Sequence, residues 1–469
     1  MTRTSSQEQV ERSFARMDEV DAQVRSVCTR NDVALETARR LDDEAEDRGP
    51  RGPLHGRPVL VKDNVDTADL PTTAGSLALA EQPNPSRDAA LVTRLRQAGM
   101  VVTGKANLSE WANIRDDNSA SGWSAYGGLT RNPYAMNRSA GGSSSGSGAA
   151  VAAGITPFAI GTETDGSISC PAAFNGCVGI KPTVGLVSTE GVVPISSSQD
   201  SPGAMAPTVR DAAALLTVLA GNGTDYASHA TEGRLAGKRI GVPRKTYWGY
   251  SAHADRHAER AVELLAAEGA TIVDNTDLTS LDDFAWANEL LVLLAELRSG
   301  LAEYLATRPG DGPRTLDDVV AFNRKNADTE LVHFGQNLFE QALAGPGVDS
   351  LEYADARAAC LTHARDEGID AVLRANDLDA LVTPSYPPAM PIDLVNPEAI
   401  GGSCTSPAAV SGYPLLTVPS GLAAGLPVAV SFWGTAGSEA TLVEVAHGYE
   451  AARDRDTGPL PGPTFETFV

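Results

Sequence analysis

The 469-residue sequence lacks any run of 18 apolar residues, the length that a membrane-spanning helix needs. Its first eight residues also lack the apolar core of a secretory signal, so we expect a cytoplasmic protein. Cysteines are few, odd in number and widely spaced, and none forms a CxxC pair. This pattern favours free thiols in a reducing compartment over disulfides or metal ligands. The five are Cys28, Cys170, Cys177, Cys360 and Cys404.

Histidine patterns typical of metal sites are missing as well. The chain has seven histidines and no HExxH motif. His253 and His257 are four residues apart, but the surrounding stretch is polar enough to be a surface helix. We therefore expect neither a metal ion nor another cofactor.

Positive charge is scarce. Lysine and arginine number 37 against 60 aspartates and glutamates, which gives a formal net charge of −23. Phosphate contacts need clustered basic side chains, so this balance argues against a nucleic-acid partner. Only six residues are lysine, and the position of each lysine is correspondingly informative.

Apolar periodicity predicts strands that alternate with helices, and this order is typical of an α/β fold with a mostly covered sheet. We expect a single domain over residues 1–469. Its N-terminal helices occupy residues 1–50, and a mainly helical insert or cap occupies residues 282–375. Other helices are predicted at 88–98, 147–153, 208–221, 254–268 and 439–452. Strands are predicted at 57–65, 100–103, 157–160, 238–242, 270–274, 381–383, 415–419 and 427–432.

Two turns rich in glycine and serine, at residues 141–148 and 161–172, are the strongest candidates for chemistry. Ser167 follows Asp165-Gly166 after a predicted strand, where a turn would expose its hydroxyl and the nearby backbone N–H groups to an oxyanion. The competing interpretation is a turn that only connects two elements. Ser144 is a rival nucleophile because residues 142–146 satisfy the GxSxG pattern, although the polar residues before them do not resemble a strand.

A serine nucleophile needs a base. His447 lies in the predicted last helix, where a solvated role is favoured, and His55 lies in a turn. Lys62 ends the apolar stretch 58–62, where burial would disfavour its charge. A neutral lysine at pH 7 costs about 4.6 kcal/mol from its reference pKa, which burial can supply. Alternatively, Lys62 pairs with a carboxylate. Strand alternation places Lys62 and Leu60 on one face and Asp63 on the other.

These residues together resemble the amidase signature family. Its motifs appear in order as Val61-Lys62-Asp63-Asn64, as Gly141–Ser147, and as Gly161–Ala172 with Ser167-Ile168. Further matches follow at 179–186, 408–419, 425–427 and 438–439, so the resemblance covers the chain from about residue 50. The resemblance implies the family fold, a large mixed sheet that is flanked by helices on both faces.

The resemblance also implies an amidase with a Ser–Ser–Lys triad. Ser167 would be the nucleophile, Ser143 the bridging serine that follows a cis peptide in this family, and Lys62 the base. Ser144 would orient the lysine. The oxyanion hole would consist of the N–H groups of Thr164, Asp165 and Gly166.

Two positions depart from the broad family pattern. Asp165 stands where a glycine is usual, and its carboxylate should point away from the oxyanion hole. Ser169 stands where an arginine is usual. Together with residues 108–113, 121–124 and 334–336, these departures resemble the bacterial peptide-amidase branch, which removes ammonia from C-terminal carboxamides of peptides.

The expected partner is thus a small-molecule or peptide amide, without nucleic acid or membrane, and the expected assembly is a monomer or homodimer. Two other functions stay open: an A-type subunit of a glutamine-dependent tRNA amidotransferase, and a biosynthetic acyl transferase with the same triad. Candidate substrate-binding residues are Asn113, Trp123, Tyr386, Cys404, Phe432 and Trp433.

Overall fold

An 11-stranded sheet organises the protein, and the computed structural model describes residues 4–282 and 284–468. The strands are β1 Val27–Arg30, β2 Pro58–Lys62, β3 Val101–Ala106, β4 Trp123–Ser124, β5 Gly128–Leu129, β6 Arg131–Asn132, β7 Ala135–Ser139, β8 Ala159–Glu163, β9 Val178–Lys181, β10 Ser201–Ala206, β11 Arg239–Val242, β12 Thr271–Asp274, β13 Ala380–Pro384, β14 Leu415–Ala423 and β15 Leu426–Trp433.

Helices surround this sheet. They are α1 Ser6–Val24, α2 Ala34–Arg48, α3 Leu77–Ala80, α4 Ala90–Gln97, α5 Ser145–Ala152, α6 Ser169–Asn175, α7 Val209–Ala220, α8 Arg244–Tyr247, α9 Ala252–Ala267, α10 Ala287–Thr307, α11 Leu316–Lys325, α12 Ala327–Glu330, α13 Asn337–Ala344, α14 Leu351–Cys360, α15 Asp370–Asn376, α16 Ser406–Ser411 and α17 Glu439–Thr457. Between α14 and α15, Leu361–Ile369 continues as a π-helix. No helix of the described part is long and apolar enough to span a membrane.

The sheet is mixed. Its strand order is β1-β3-β2-β8-β10-β9-β14-β15-β13-β11-β12. Strand β2 runs parallel to β3 and β8, and β11 runs parallel to β12 and β13. The other neighbours in the sheet are antiparallel. This architecture confirms the α/β fold with a large mixed sheet.

Helices cover both faces of the sheet, as the side chains of β2 show. Val59 and Val61 pack into the large hydrophobic cluster that includes α4, α7, α9 and α17. Leu60 packs on the opposite face, in the cluster with α1, α2, α5 and α6. Because side chains alternate along a strand, the Lys62 side chain lies on the same face of the sheet as Leu60. Asp63 lies on the opposite face, as predicted.

Two central strands, β9 and β10, do not follow from the sequence pattern. Strand β10 contains proline and glycine, which are depleted in strands. Gly203 is required there because a Cβ at this position would lie 2.0 Å from the Ile180 carbonyl oxygen. Gly203, which makes this segment unlike a typical strand, is therefore the residue that lets β9 and β10 approach each other.

The prediction of helices alone near the N-terminus was wrong at residues 27–30. Helix α1 ends at Val24, and the next residue, Arg25, has a left-handed φ of 55°. Strand β1 then pairs with β3 at the edge of the sheet. The helical segment after residue 282 is confirmed in α10–α14, with interruptions after Thr307 and Ala344. That this segment is an insert or cap within one domain stays a prediction.

A buried ion pair fixes the loop after β2 against β3. The Lys105 ammonium lies 3.3 Å from the Asp63 carboxylate, and both side chains are inaccessible to solvent. Lys105 also donates to the Val65 carbonyl at 2.8 Å and to the Thr72 hydroxyl at 2.9 Å. Its charge is thus fully compensated inside the protein.

We expect Asp63→Ala to lower the free energy of unfolding by about 3–5 kcal/mol, because the variant leaves a buried ammonium without its counter-ion. The matched control is Asp379→Ala, which removes the carboxylate 3.4 Å from the partly exposed Lys238. That surface variant should cost about 1 kcal/mol or less. Urea unfolding of both proteins checks this, and equal losses would contradict it.

Candidate active site

Lys62 lies at the end of β2 and is completely buried. Its Nζ donates to the Ser143 hydroxyl at 2.8 Å, to the Thr162 hydroxyl at 2.9 Å and to the Thr162 carbonyl at 3.2 Å. Burial lowers the pKa of Lys62 to about 7, although the charges of Asp200 and Glu163 act in the opposite direction. The lysine is therefore able to exchange a proton with Ser143 near neutral pH.

Two further lysines are buried, and their contacts differ from those of Lys62. Lys105 has the Asp63 carboxylate, whereas Lys181 donates to the backbone carbonyl of Tyr413 at 2.8 Å. Among the described residues, Lys62 alone of these three bonds a serine hydroxyl, and it forms no salt bridge within 4 Å. This geometry favours a base over a partner in an ion pair.

The first glycine-serine turn carries Ser143 and leads into α5. The peptide bond between Gly142 and Ser143 is cis. The Ser109 N–H donates to the Ser143 carbonyl at 3.0 Å. The Ser144 N–H donates to the Ser167 carbonyl at 3.0 Å, which joins the first turn to the second. The fold thus brings together Lys62, Ser143 and Ser167, which are far apart in sequence.

Ser144 contacts Lys62 only through an intermediate residue. Its hydroxyl donates to the Thr162 carbonyl at 3.1 Å and accepts from the Thr162 N–H at 3.2 Å. Thr162 in turn bonds Lys62, and the Asn64 amide donates to the Thr162 hydroxyl at 3.0 Å. Thr162 and Asn64 were not predicted as supports, although both lie within the sequence motifs of the site.

The second turn holds Ser167 between β8 and α6. Gly166 has a φ of 78°, and a Cβ there would lie 2.3 Å from the Tyr386 hydroxyl, so only glycine fits. The Glu163 carboxylate accepts from the Ile168 and Ser169 N–H groups at 2.7 and 2.8 Å. It also accepts from the Ser169 hydroxyl at 2.9 Å, which gives this departure from the family pattern a local partner.

Backbone donors of the predicted oxyanion hole are available. Among residues 4–282 and 284–468, no acceptor takes a hydrogen bond from the N–H groups of Thr164, Asp165 and Gly166. The Asp165 carboxylate instead accepts from the hydroxyls of Thr405 and Ser406, each at 2.6 Å. The side chain is therefore engaged elsewhere, and the turn offers its backbone N–H groups to a ligand.

Two of the candidate substrate residues are core residues. Phe432 and Trp433 are inaccessible to solvent and belong to two hydrophobic clusters. Trp433 packs edge-on against Tyr247, with ring centroids 4.9 Å apart. Their position in the core does not support the prediction that they contact substrate. The strand end that suggested them is buried by α8 and the helices around it.

Tyr386 and Cys404 lie near the second turn. Tyr386 touches Gly166 and hydrogen-bonds Thr405 at 3.2 Å. Cys404 precedes Thr405 and is fully buried. Asn113 has a left-handed backbone with φ of 77°, and its side-chain oxygen is buried with no hydrogen-bond partner among the described residues.

Trp123 is buried between the rings of His333 and Phe334. It packs β4 against the loop between α12 and α13. The alternative base His447 lies 3.6 Å from Glu450 on its own helix. No group of histidine, cysteine or acidic side chains in the described part could hold a metal ion.

Comparisons with known proteins agree with this geometry. The amidase family model matches residues 8–443. A probable amidase of Arabidopsis thaliana is 38% identical over 420 residues, which cover 85% of this chain and 77% of that protein. The A-type subunit of the glutamyl-tRNA(Gln) amidotransferase of Exiguobacterium sibiricum is 36% identical over 467 residues, which cover 95% and 93%.

A solved structure is similar over nearly the whole chain. The native peptide amidase of Stenotrophomonas maltophilia has a TM-score of 0.90 and 44% sequence identity, and the match covers 99% of this chain and 96% of that one. The family model, the identities and the shared fold lead to one conclusion. The chain belongs to the amidase signature family and is a hydrolase that acts on amide bonds.

Proposed function

We propose that this amidase hydrolyses a carboxamide, foremost the C-terminal amide of a peptide, to a carboxylate and ammonia. The observation that carries the mechanism is the 2.8 Å hydrogen bond from the buried Lys62 Nζ to the Ser143 hydroxyl. A lysine whose pKa burial lowers to about 7 is a competent general base at neutral pH.

The reaction uses each residue for one task. Neutral Lys62 takes the proton of Ser143 while Ser143 takes that of Ser167, and the Ser167 oxygen attacks the amide carbon. The N–H groups of Thr164, Asp165 and Gly166 stabilise the oxyanion. When the tetrahedral intermediate collapses, the carbon–nitrogen bond breaks and the proton returns through Ser143 to the leaving ammonia. Water then attacks the acyl-enzyme by the same relay, which releases the carboxylate and free Ser167.

Similarity to a peptide amidase supports the peptide substrate. The S. maltophilia enzyme is named for this activity and matches at 44% identity. A related structure of a peptide amidase holds the competitive inhibitor chymostatin and matches with a TM-score of 0.91. Asp165, which replaces the usual glycine, is also part of the motif that resembles this branch.

The amidotransferase is the second candidate, because its A-type subunits share 34–36% identity with this chain. The net charge of −23 does not suit an assembly that faces tRNA. A biosynthetic acyl transferase would use the same acyl-enzyme with an acceptor other than water.

The cytoplasm is the proposed compartment because all five cysteines are free thiols. A monomer or homodimer stays a prediction.

Substituting the nucleophile tests the chemistry. We expect Ser167→Ala to lower kcat by at least about 10⁴-fold, since the remaining site can bind substrate but cannot form an acyl-enzyme. Ammonia release measures the loss, and thermal unfolding checks that the fold is intact. An active Ser167→Ala variant would show that another group attacks the amide.

The pH profile tests Lys62. Because the lysine must be neutral to act, kcat/KM should fall about tenfold per pH unit below the pKa of about 7 and reach a plateau above it. Lys62→Arg should be inactive at all pH values because arginine stays protonated. An active arginine variant, or an acid limb far from pH 7, would exclude Lys62 as the base.

A substrate panel separates the candidate functions. We expect ammonia release from amidated dipeptides at a kcat/KM at least about tenfold above that for free glutamine or simple aliphatic amides. Preference for glutamine that needs partner subunits would support the amidotransferase. Consumption of the amide only in the presence of an amine or alcohol acceptor would support the acyl transferase.

A further inference from the structure

The loop between β13 and α16, residues 385–405, is fixed at both ends to the turn that carries the nucleophile. Near its start, Tyr386 lies against Gly166, since a Cβ on that glycine would be 2.3 Å from the Tyr386 hydroxyl. At its end, the Thr405 hydroxyl donates to the Asp165 carboxylate at 2.6 Å. The residues between these two contacts therefore start and finish beside the second glycine-serine turn.

The central part of this loop, residues 393–403, is attached to the rest of the protein through one carboxylate, and we call this part the strap. Glu398 accepts a hydrogen bond from the Ser121 N–H at 2.8 Å and another from the Ser121 hydroxyl at 2.6 Å, one on each carboxylate oxygen. In the part of the chain that the structure describes, no other group of the strap hydrogen-bonds a residue outside it. Hydrogen bonds to a carboxylate are among the strong ones. Glu398 is therefore the polar latch of the strap.

Ser121 connects this latch to the first glycine-serine turn. A Cβ at Gly142 would lie 2.9 Å from the Ser121 hydroxyl oxygen, so Ser121 packs against the residue that precedes Ser143. The same loop meets the approach to the first turn at Met390, whose carbonyl accepts from the Ser139 N–H at 2.9 Å. The strap thus starts and ends at the second turn and is latched beside the first.

The other contacts of the strap are packing contacts. Leu394 lies against a small apolar cluster that contains Trp123 and Phe334. The backbone of Gly402 lies against the ring of Tyr250, because a Cβ there would be 2.6 Å from that ring. Apolar contacts have no preferred direction, so they do not hold the strap in one position as the two bonds of Glu398 do.

Access to the nucleophile is narrow. Lys62 and Ser143 are inaccessible to solvent, and Ser167 is only 8% exposed. A small amide needs little room to reach the Ser167 oxygen. A peptide that presents its C-terminal amide there must also accommodate its preceding residues in front of the two turns.

We propose that the strap closes the approach to the two catalytic turns and that Glu398 is a specificity-determining residue, whose bonds to Ser121 hold the strap closed and disfavour long peptide amides. This inference rests on the proposed function, because it concerns access to the same nucleophile. The bonds of Glu398 are made within the protein, so they stabilise the closed strap before any substrate binds. A substrate that requires the open strap binds with an affinity reduced by the fraction of open protein.

The experiment removes the latch from either side. Glu398→Ala removes both acceptor oxygens, and Ser121→Ala removes the hydroxyl donor but keeps the N–H. The matched control is Asp393→Ala, which removes a carboxylate of the same strap. Asp393 accepts only from the N–H groups of Val395 and Asn396 and from the Asn396 amide, all inside the strap.

Ammonia release is measured with pentaalanine amide and with propionamide. We expect Glu398→Ala to lower KM for pentaalanine amide at least about threefold with little change in kcat, because more of the protein is open. KM for propionamide should stay unchanged. Ser121→Ala should act in the same direction to a smaller extent, and Asp393→Ala should resemble wild type. An unchanged KM for pentaalanine amide in Glu398→Ala would overturn the proposal. A raised KM would overturn it as well, because it would mean that the carboxylate binds the substrate itself.

Limited proteolysis tests the latch without substrate. Thermolysin cleaves before apolar residues such as Val395 and Ile400, and it must bind an extended segment, so cleavage in the strap reports its detachment. Glu398→Ala should be cleaved there at least about threefold faster than wild type, since the rate follows the population of the open form. The double variant with Ser121→Ala should be cleaved no faster than Glu398→Ala, because both changes remove one latch. Asp393→Ala should match wild type.

The two measurements separate this inference from the proposed function. Equal cleavage of wild type and Glu398→Ala would refute the latch whatever the activity. Faster cleavage of the variant in a protein that releases no ammonia from either amide would refute only the amidase chemistry. Thermal unfolding checks that each variant is folded, and if Glu398→Ala fails to fold, the comparison of Ser121→Ala with Asp393→Ala decides.

Discussion

The active site depends on the cost of burying one ammonium group at the end of β2. Lys62 is enclosed by the sheet on one side and by the two glycine-serine turns on the other, so water cannot solvate its charge. That desolvation lowers the pKa to about 7, so the neutral amine is accessible near neutral pH, as the proposed role of Lys62 as a base requires. The flanking strands supply the enclosure, since β2 lies between β3 and β8 near one end of the sheet.

Other charged side chains that are buried near Lys62 have partners that compensate their charge. Lys105 and Asp63 form an ion pair on the face of the sheet opposite Lys62. Asp200 accepts the Thr164 hydroxyl at 2.6 Å and the N–H groups of Ile195 and Ser196. Near the nucleophile, the acidic side chains bond backbone N–H groups or hydroxyls instead of lysines. Lys62 is left with hydroxyl and carbonyl partners and keeps its basicity available for Ser143.

The helical segment after residue 282 is tied to the chemistry through hydrogen bonds from α10. Glu289 accepts from the Gln199 amide, which also donates to the Thr164 carbonyl. Glu296, on the same helix, accepts from the Ser196 hydroxyl and from the N–H of Ser198. Tyr304 donates to Asp66 at 2.8 Å, close to the loop that follows β2. Three positions along one helix therefore bond residues in the loops that follow β2 and precede β10.

The sequence by itself was enough for the fold class, for the order of most strands and helices, and for the proposal of Lys62, Ser143 and Ser167, because motif residues and apolar periodicity are local. It failed at β1, β9 and β10, and in β10 pairing with the neighbouring strands outweighs a local composition of proline and glycine. It also suggested Phe432 and Trp433 as substrate contacts, which only burial could show to be core residues. The partners of Asp165 and Lys62 were decided by tertiary structure alone. Thr405 and Ser406, which donate to the Asp165 carboxylate, lie 240 and 241 positions further along the chain, and no local pattern encodes these contacts.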